Sequence, residues 1–170
     1  MDCFDKIVLL WYNCFYGFDE PLQIMKERVY IMAKLQIEFQ ITKSGNTLQI
    51  ADQLSSLLKS KSDQIPPAYM CNKEKLVIII FEKVDKVLKE YIGSLDTNKT
   101  ANIAYISMNG SGLDVLSEIS KGKGVNVVGT YNVGLKKSLF GSSKMTDEQL
   151  KGAVEFAKKE AGQLFESMQF

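Results

Sequence analysis

The sequence feature that most constrains the fold is Leu76–Phe81, an unbroken apolar run that reads LVIIIF. Successive side chains of a strand point to opposite faces, so a strand that is apolar at every position is buried on both of them. Burial on both faces is typical of a parallel sheet with helices packed on each side. The run therefore predicts a buried strand of an α/β domain.

Strand and helix patterns alternate along the rest of the chain. Lys34–Ile41 predicts a first strand, Ala101–Ser107 a further one, and Val125–Tyr131 the last central strand. The predicted helices have apolar residues at helical spacing and cover Asn46–Lys59, 84–95, 113–122 and a final stretch that begins at the Thr146 capping box. This spacing puts Leu57 and Val87 on buried helix faces. Strands that alternate with helices indicate a doubly wound parallel sheet.

A polar stretch, Ser60–Lys75, separates the first helix from the apolar run, and it contains Pro66 and Pro67. Its one short apolar piece is Ala68–Cys71, where we place the remaining strand as short or irregular. Because proline cannot donate to a hydrogen-bond ladder, we expect this strand at an edge of the sheet.

The length of 170 residues is sufficient for a proper core, and one domain is expected. We assign this domain to residues 33–170 and treat 1–32 as an N-terminal extension. Within it, Ile7–Phe18 is strongly apolar but too short to span a bilayer as a helix. Three interpretations of residues 1–31 stay open: a secretory signal, a strand or hairpin packed on the domain, or a segment outside a physiological chain that starts at Met32.

Residue types that the chain lacks exclude several kinds of chemistry. It has no histidine, which removes Ser-His-Asp and Cys-His nucleophiles, HExxH zinc sites and imidazole bases. Its three cysteines form no zinc or disulfide pattern and indicate a reducing cytoplasm. At a net charge of +1, composition gives no electrostatic reason to expect nucleic acid or a membrane as a partner.

The candidate site begins with the turn TKSGNT at 42–47, between the first predicted strand and helix. The free N–H groups and the dipole of a helix N-terminus favour an anion such as phosphate. Thr42, Ser44 and Thr47 offer hydroxyls at this turn. Asn46 offers an amide, and Gly45 lets the backbone approach closely. The same residue types also make ordinary helix caps, and that interpretation stays open.

A second loop, Met108–Gly112, follows the strand Ala101–Ser107. In doubly wound sheets, ligands bind at the carboxyl ends of the strands, at the point where the strand order reverses. Because the turn at 42–47 also follows a strand, we expect the two loops to converge on one site.

The turn at 42–47 resembles the phosphate loop of the flavodoxin family, which runs Ser/Thr-x-Ser/Thr-Gly-Asn-Thr after the first strand. Met108–Gly112 resembles the family's third flavin-contacting loop, and the strand and helix that follow resemble its closing elements. The resemblance covers residues 33–170. It implies a three-layer flavodoxin-like fold with five parallel strands in the order 2-1-3-4-5.

By this resemblance the chain binds FMN. The residues that the resemblance implies for the phosphate are Thr42, Ser44, Gly45, Asn46 and Thr47. The residues that it implies near the flavin ring are Phe81, Met108, Asn109, Gly110, Ser111 and Gly112. It implies no catalytic side chain and no metal.

Two departures from the family pattern affect the binding of the flavin ring more than the binding of the phosphate. The family's loop after the third strand carries a proline, an aromatic residue and a glycine, whereas here Glu82–Asp85 leads directly into the next helix. The helix that usually joins the second and third strands is missing as well. An aromatic pair is worth about 0.5–1.5 kcal/mol beyond area burial, so we expect weaker FMN binding than in a typical member.

The leading functional prediction is an FMN-binding protein that carries electrons between redox partner proteins, because the cofactor supplies the chemistry. Two alternatives stay open. The short ring loop favours a flavin-free interaction or regulatory module on the same scaffold. An open ring face would instead suit a small FMN-dependent reductase, so whether the chain is an enzyme in its own right is left open.

Overall fold

The computed structural model describes residues 35–135, 137–138 and 141–165. The predicted extension at 1–32 lies outside the described residues, as does Lys34 at the start of the predicted first strand. The division of the chain at residue 32 therefore stays a prediction. No helix in the described part of the chain is long and apolar enough to cross a membrane.

Five parallel strands form the main sheet. In chain order they are β1 (Leu35–Phe39), β2 (Lys61–Gln64), β3 (Leu76–Phe81), β4 (Asn102–Ser107) and β5 (Asn126–Asn132). Their order across the sheet is β2-β1-β3-β4-β5. The predicted fold class is confirmed, since this is a flavodoxin-like α/β fold whose strand order reverses between β1 and β3.

The helices of the described residues are α1 (Asn46–Leu58), α2 (Lys86–Ser94), α3 (Leu113–Gly122) and α4 (Asp147–Leu164). The Asp85 carboxylate caps α2 by accepting from the Leu88 N–H at 2.9 Å. Thr146 and Gln149 form the predicted capping box of α4. Before α4, where the sequence predicts only a long loop, β6 (Lys137–Ser138) and β7 (Gly141–Ser142) pair as a short antiparallel hairpin.

Helices cover the sheet on both faces. Ile78 and Ile80 of β3 lie in the core that includes residues of α1 and α4, while Val77 and Ile79 lie in the core that includes residues of α2 and α3. Every residue of β3 is 0% exposed, so the prediction of a strand buried on both faces is confirmed. Burying one such aliphatic side chain stabilises the fold by about 1.5–3 kcal/mol, which makes β3 its most strongly anchored strand.

The second strand corrects the sequence-based assignment. It is Lys61–Gln64, before the two prolines, and not the apolar piece Ala68–Cys71. Its place at the edge is as predicted, and no helix lies between it and β3. Because its sequence KSDQ carries no apolar residue, its pairing with β1 rests on the backbone and leaves no hydrophobic pattern to recognise.

The strand described as the last central one is β5, and it forms the other edge of the sheet, as the predicted order 2-1-3-4-5 requires. Two further expectations differ from the structure. Leu57 and Val87 are 39% and 47% exposed, although the helical pattern assigns them to buried faces. Both helices bury a narrower stripe than their apolar residues suggest.

β1 differs from β3 because polar side chains occupy one of its covered faces. Leu35 and Ile37 lie in the core beneath α1 and α4. Gln36 and Glu38 alternate with them and therefore point to the opposite face. Glu38 is nevertheless 0% exposed. The alternation in β1 is typical of a half-solvated strand, but here both faces are covered.

Candidate functional site

The candidate site lies at the carboxyl edge of the sheet, where β1 and β3 are neighbours. The chain leaves β3 through Glu82–Asp85 and leaves β4 through Met108–Gly112. Backbone hydrogen bonds of 2.9 Å join the carboxyl ends of β1, β3 and β4. They run from the Gln40 N–H to the Ile80 carbonyl and from the Met108 N–H to the Phe81 carbonyl. The turn at 42–47 and the loop at 108–112 thus belong to one edge, at the reversal of strand order.

A cluster of three hydroxyls forms the centre of the turn after β1. Thr42 Oγ1 lies 3.0 Å from Ser44 Oγ and 3.4 Å from Thr47 Oγ1. Gly45 has a φ of 72°, in the left-handed region that favours glycine, and its N–H closes the turn on the Thr42 carbonyl at 3.2 Å. A Cβ at Gly45 would meet nothing within 4 Å, so the space beside the turn is open.

The first turn of α1 leaves backbone donors for an anion. Gly45 is the N-cap residue, and no side-chain hydrogen bond caps the helix there. The Asn46 N–H reaches Ser44 Oγ only at 3.4 Å. Within the described residues, the N–H groups of Thr47 and Leu48 have no acceptor. These N–H groups and the positive end of the helix dipole suit a phosphate. An ordinary side-chain cap explains the turn less well, because no side chain of the described residues caps the helix.

Two of the predicted phosphate residues use their side chains inside the protein. Thr47 is 0% exposed, and its Oγ1 donates to the Gln40 carbonyl at 2.6 Å. Asn46 donates from Nδ2 to the Ser143 carbonyl at 3.0 Å and accepts at Oδ1 from the Met145 N–H at 3.2 Å. These two side chains position the turn. Thr42 and Ser44 are only half-buried, so their hydroxyls are the side-chain groups of the turn that a ligand could reach.

Gln40 has a positioning role that the sequence pattern does not single out. Its Oε1 accepts from the N–H groups of Glu82 and Lys83, each at 3.1 Å, and its Nε2 donates to Asp85 Oδ2 at 2.9 Å. One side chain therefore ties the end of β1 to the loop after β3. The only signal of this role is a glutamine at the end of a covered strand, where a polar group needs partners.

The loop after β3 brings a carboxylate to the hydroxyl cluster. Ser44 Oγ donates to Glu82 Oε2 at 3.3 Å. Glu82 also borders a cleft of about 370 Å³. The other residues that line this cleft are Lys83, Val84, Asn109, Ser111 and Gly112. Glu82 thus lies between the hydroxyl cluster and the cleft, where its charge opposes that of an approaching phosphate.

Two of the predicted ring-side residues are core residues. Phe81 and Met108 are 0% exposed, and the Phe81 ring meets the Tyr105 ring edge-on with centroids 6.3 Å apart. Only the backbone of these two residues can reach a ligand. Gly112 has a φ of 80°, and a Cβ there would collide with Cγ2 of Val84. This glycine allows the loops after β3 and β4 to close against each other.

The rest of the loop after β4 is fixed from within. The Gly110 N–H donates to Ser107 Oγ, and the Ser111 N–H donates to Asn109 Oδ1, both at 3.0 Å. Gly110 has a φ of 75°, and a Cβ there would lie 2.7 Å from Nδ2 of Asn132. The loop is therefore well defined, and Asn109 and Ser111 line the cleft.

The site fits the two parts of FMN unequally. The turn at 42–47 offers hydroxyls and unused N–H groups in open space, which suit the phosphate. The described residues that line the cleft include no aromatic side chain, so none of them stacks on a flavin ring. The predicted binding residues stay predictions, with Thr42, Ser44 and the backbone as the groups placed to contact a phosphate.

Comparisons with known proteins add a likeness in fold. No protein-family model matches the chain, and no curated protein matches it. A solved structure that does match is the solution structure of two-electron reduced flavodoxin from Megasphaera elsdenii. The two chains are 18% identical, the match covers 76% of this chain and 98% of the other, and the TM-score is 0.48. The function proposed below rests on the geometry of the site and not on this match.

Proposed function

We propose that this chain binds FMN by its phosphate at the turn 42–47 and serves as an electron carrier for partner proteins. The observation that carries the proposal is the hydroxyl cluster at the start of α1, with Thr42 Oγ1 3.0 Å from Ser44 Oγ beside N–H groups that have no acceptor in the described residues. This combination lies where the strand order reverses, which is where doubly wound folds bind their ligands.

The phosphate would be held mainly by Thr42, Ser44 and the N–H groups of the first turn of α1. Hydrogen bonds to a charged group contribute about 1.5–3 kcal/mol each, so two or three of them amount to a substantial part of the affinity. Asn46 and Thr47 would act indirectly, because their side chains hold the turn in place through Ser143 and Gln40.

The flavin ring would lie over the cleft between the loops after β3 and β4. When bound, FMN supplies the electron-transfer chemistry, so the protein needs no catalytic acid or base. The backbone of Asn109–Gly112 would approach the edge of the ring, and Lys83 and Glu82 would border it. Since no aromatic residue of the described part of the chain lines the cleft, the ring would be open to water and to a docking partner.

The carboxylate of Glu82 favours a second candidate function, a flavin-free interaction or regulatory module. It accepts from Ser44 at 3.3 Å, so a negative charge already faces the group that would bind phosphate. Under this alternative, the turn at 42–47 would keep its shape through internal hydrogen bonds alone. The open cleft also suits a third candidate, a small reductase whose substrate would lie on the exposed ring.

The experiment that separates these functions begins with the colour of the purified full-length chain. Under the leading proposal, the protein shows flavin absorbance, and heating releases a flavin that chromatography identifies as FMN. The reduced protein then passes electrons to a protein acceptor such as cytochrome c. Turnover of a quinone or azo compound without any partner would favour the reductase. A colourless protein that does not take up added FMN would overturn the proposal and leave the flavin-free module.

A further inference from the structure

A buried carboxyl group on the other face of β1, that of Glu38, lies outside the candidate site. Glu38 lies between β2 and β3, is 0% exposed, and pairs in register with Asp63 of β2 and Ile79 of β3. Its Oε1 accepts from the Cys71 thiol at 3.4 Å. Its Oε2 is buried and has no hydrogen-bond partner among the described residues. An ionised carboxylate in such surroundings is costly, which favours the neutral form.

The cover over Glu38 is the segment 65–75, which has no helix or strand of its own. Backbone hydrogen bonds hold its two ends, from the Ile65 N–H to the Phe39 carbonyl at 2.9 Å and from the Glu74 N–H to the Lys99 carbonyl at 2.8 Å. In the middle, Tyr69 and Met70 are 83% and 47% exposed. The middle of the segment therefore opens at much lower cost than the helices of the fold.

Cys71 is the buried contact that fastens the middle of the segment 65–75 to the sheet. It is 4% exposed, and its Sγ lies 3.4 Å from Glu38 Oε1, 3.5 Å from Gln36 Oε1 and 3.5 Å from the Tyr91 hydroxyl of α2. The Ala68 N–H adds one exposed hydrogen bond to Asp63 Oδ2 at 2.8 Å. Closing the segment over β1 therefore requires that the Glu38 carboxyl be removed from water, which costs less when the carboxyl is neutral.

The groups that face Glu38 favour its neutral form. Burial is the main reason that the pKa of Glu38 is raised to about 7, and the nearby hydroxyl of Tyr91 and thiol of Cys71 only partly oppose it. The charges of Asp63 on β2 and Glu74 on the segment raise this pKa further. On β3, the neighbouring side chains Val77 and Ile79 are apolar.

We propose that Glu38 is a pH-dependent latch for the segment 65–75. The neutral carboxyl allows the segment to close over β1, and the ionised carboxylate favours the state in which its middle has lifted and water reaches Glu38. Lifting exposes the thiol of Cys71 and displaces Tyr69 and Met70. The device is independent of FMN binding, since none of these residues belongs to the candidate site.

The size of the effect follows from linkage. A carboxyl with the ordinary value of 4.5 when the segment is open, and a pKa of about 7 when it is closed, favours closure most at low pH. This preference is lost as pH rises from the lower value through the higher one. Opening is therefore about 30-fold more favourable at pH 8.5 than at pH 5.5.

The test is the labelling rate of Cys71 between pH 5.5 and 8.5, in a full-length chain with Cys3→Ser and Cys14→Ser. Dividing each rate by that of a short peptide with the sequence 65–75 removes the intrinsic pH dependence of the thiol. The ratio should rise about 30-fold in the parent chain and stay flat in Glu38→Gln. Glu118→Gln, on the exposed face of α3, should keep the full rise.

Hydrogen exchange of the parent chain separates the latch from unfolding of the whole domain. The β3 amides should stay far more protected than Cys71 at every pH, although the ionisation of Glu38 in the unfolded chain lowers their protection factors as well. A labelling ratio that does not change with pH would overturn the latch, as would a full rise in Glu38→Gln. A Cys71 opening constant no larger than that of the β3 amides would also overturn it, and this measurement needs no variant of Glu38 that folds.

Discussion

The turn after β1 and the loop after β3 lie side by side at one edge of the sheet, and Gln40 joins them. The turn has hydroxyls 3.0 Å apart, a glycine in the left-handed region and unused N–H groups within the described residues. The loop is only four residues long and contributes a carboxylate and a lysine to an open cleft. Two neighbouring connections at the same edge of the sheet thus offer very different chemical groups to a ligand.

This difference shows that binding a phosphate and binding a flavin ring require different kinds of residue. A phosphate is bound by small hydroxyls, glycine and backbone, which a helix N-terminus provides with little surrounding structure. A flavin ring needs area, and the Glu82–Asp85 loop has neither the length nor the aromatic side chain to supply it. We therefore expect substitutions in the turn to affect FMN affinity strongly and equivalent substitutions at the cleft to affect it little.

The largest expected effect is that of Ser44→Asp. An aspartate here would place a negative charge next to the phosphate, and a repulsion of about 2–3 kcal/mol corresponds to about 100-fold weaker FMN binding. Ser111→Asp, which adds the same charge at the cleft, should weaken binding by less than about fivefold, because that charge is farther away and exposed to solvent. Titration of both variants with FMN checks this, and equal losses would break the contrast between the turn and the cleft.

A smaller effect is expected on the free energy of unfolding when a glycine at the cleft or in the turn is replaced by alanine. Gly112→Ala should lower the free energy of unfolding by about 2 kcal/mol, since the new methyl group collides with Val84 and φ is 80°. Gly45→Ala should cost about 1 kcal/mol, because only its φ of 72° is unfavourable and the space is open. Urea denaturation measures both.

The double variant Val84→Ala, Gly112→Ala sharpens this second prediction. If the collision causes the loss, shortening Val84 should recover about half of it, and the two changes should be non-additive. Additive losses would show that the loops after β3 and β4 are not in tight contact.

The smallest expected effect is a gain. Glu82→Gln removes the one carboxylate that accepts from Ser44, and FMN binding should become about fivefold tighter as a screened repulsion near 1 kcal/mol disappears. Glu118→Gln removes the same charge from the exposed surface of α3 and should leave the affinity unchanged. Weaker binding in Glu82→Gln would mean that the carboxylate supports the turn instead of opposing the ligand.

Strong local patterns in the sequence predicted the frame of the fold. The LVIIIF run of β3 and the Thr146 capping box each allow one interpretation, and both are confirmed. The prediction of β2 at Ala68–Cys71 is wrong, because KSDQ is paired through its backbone at an edge and needs no apolar residue. The burial of Glu38 could not be predicted either, since the alternation of apolar and polar residues in β1 normally means that the polar face is exposed to solvent.

At the candidate site, the turn at 42–47 stays a prediction, and the sequence does not reveal which of its side chains point inward. The side chains of Asn46 and Thr47 turn inward to Ser143 and Gln40, a choice that depends on neighbours brought near by the fold. The inward orientation of Phe81 and Met108 likewise follows from packing and not from local sequence. The contact from Ser44 to Glu82 joins residues that are 38 positions apart, which no local pattern reveals.

The most direct test of the central claim is to titrate the flavin-free, full-length protein with FMN and, separately, with riboflavin, which lacks the phosphate. If the turn at 42–47 holds the phosphate, FMN should bind saturably and about 100-fold more tightly than riboflavin, since charge-assisted hydrogen bonds worth roughly 3 kcal/mol are lost without it. Equal affinities for the two flavins, or no saturable binding of FMN, would contradict the account.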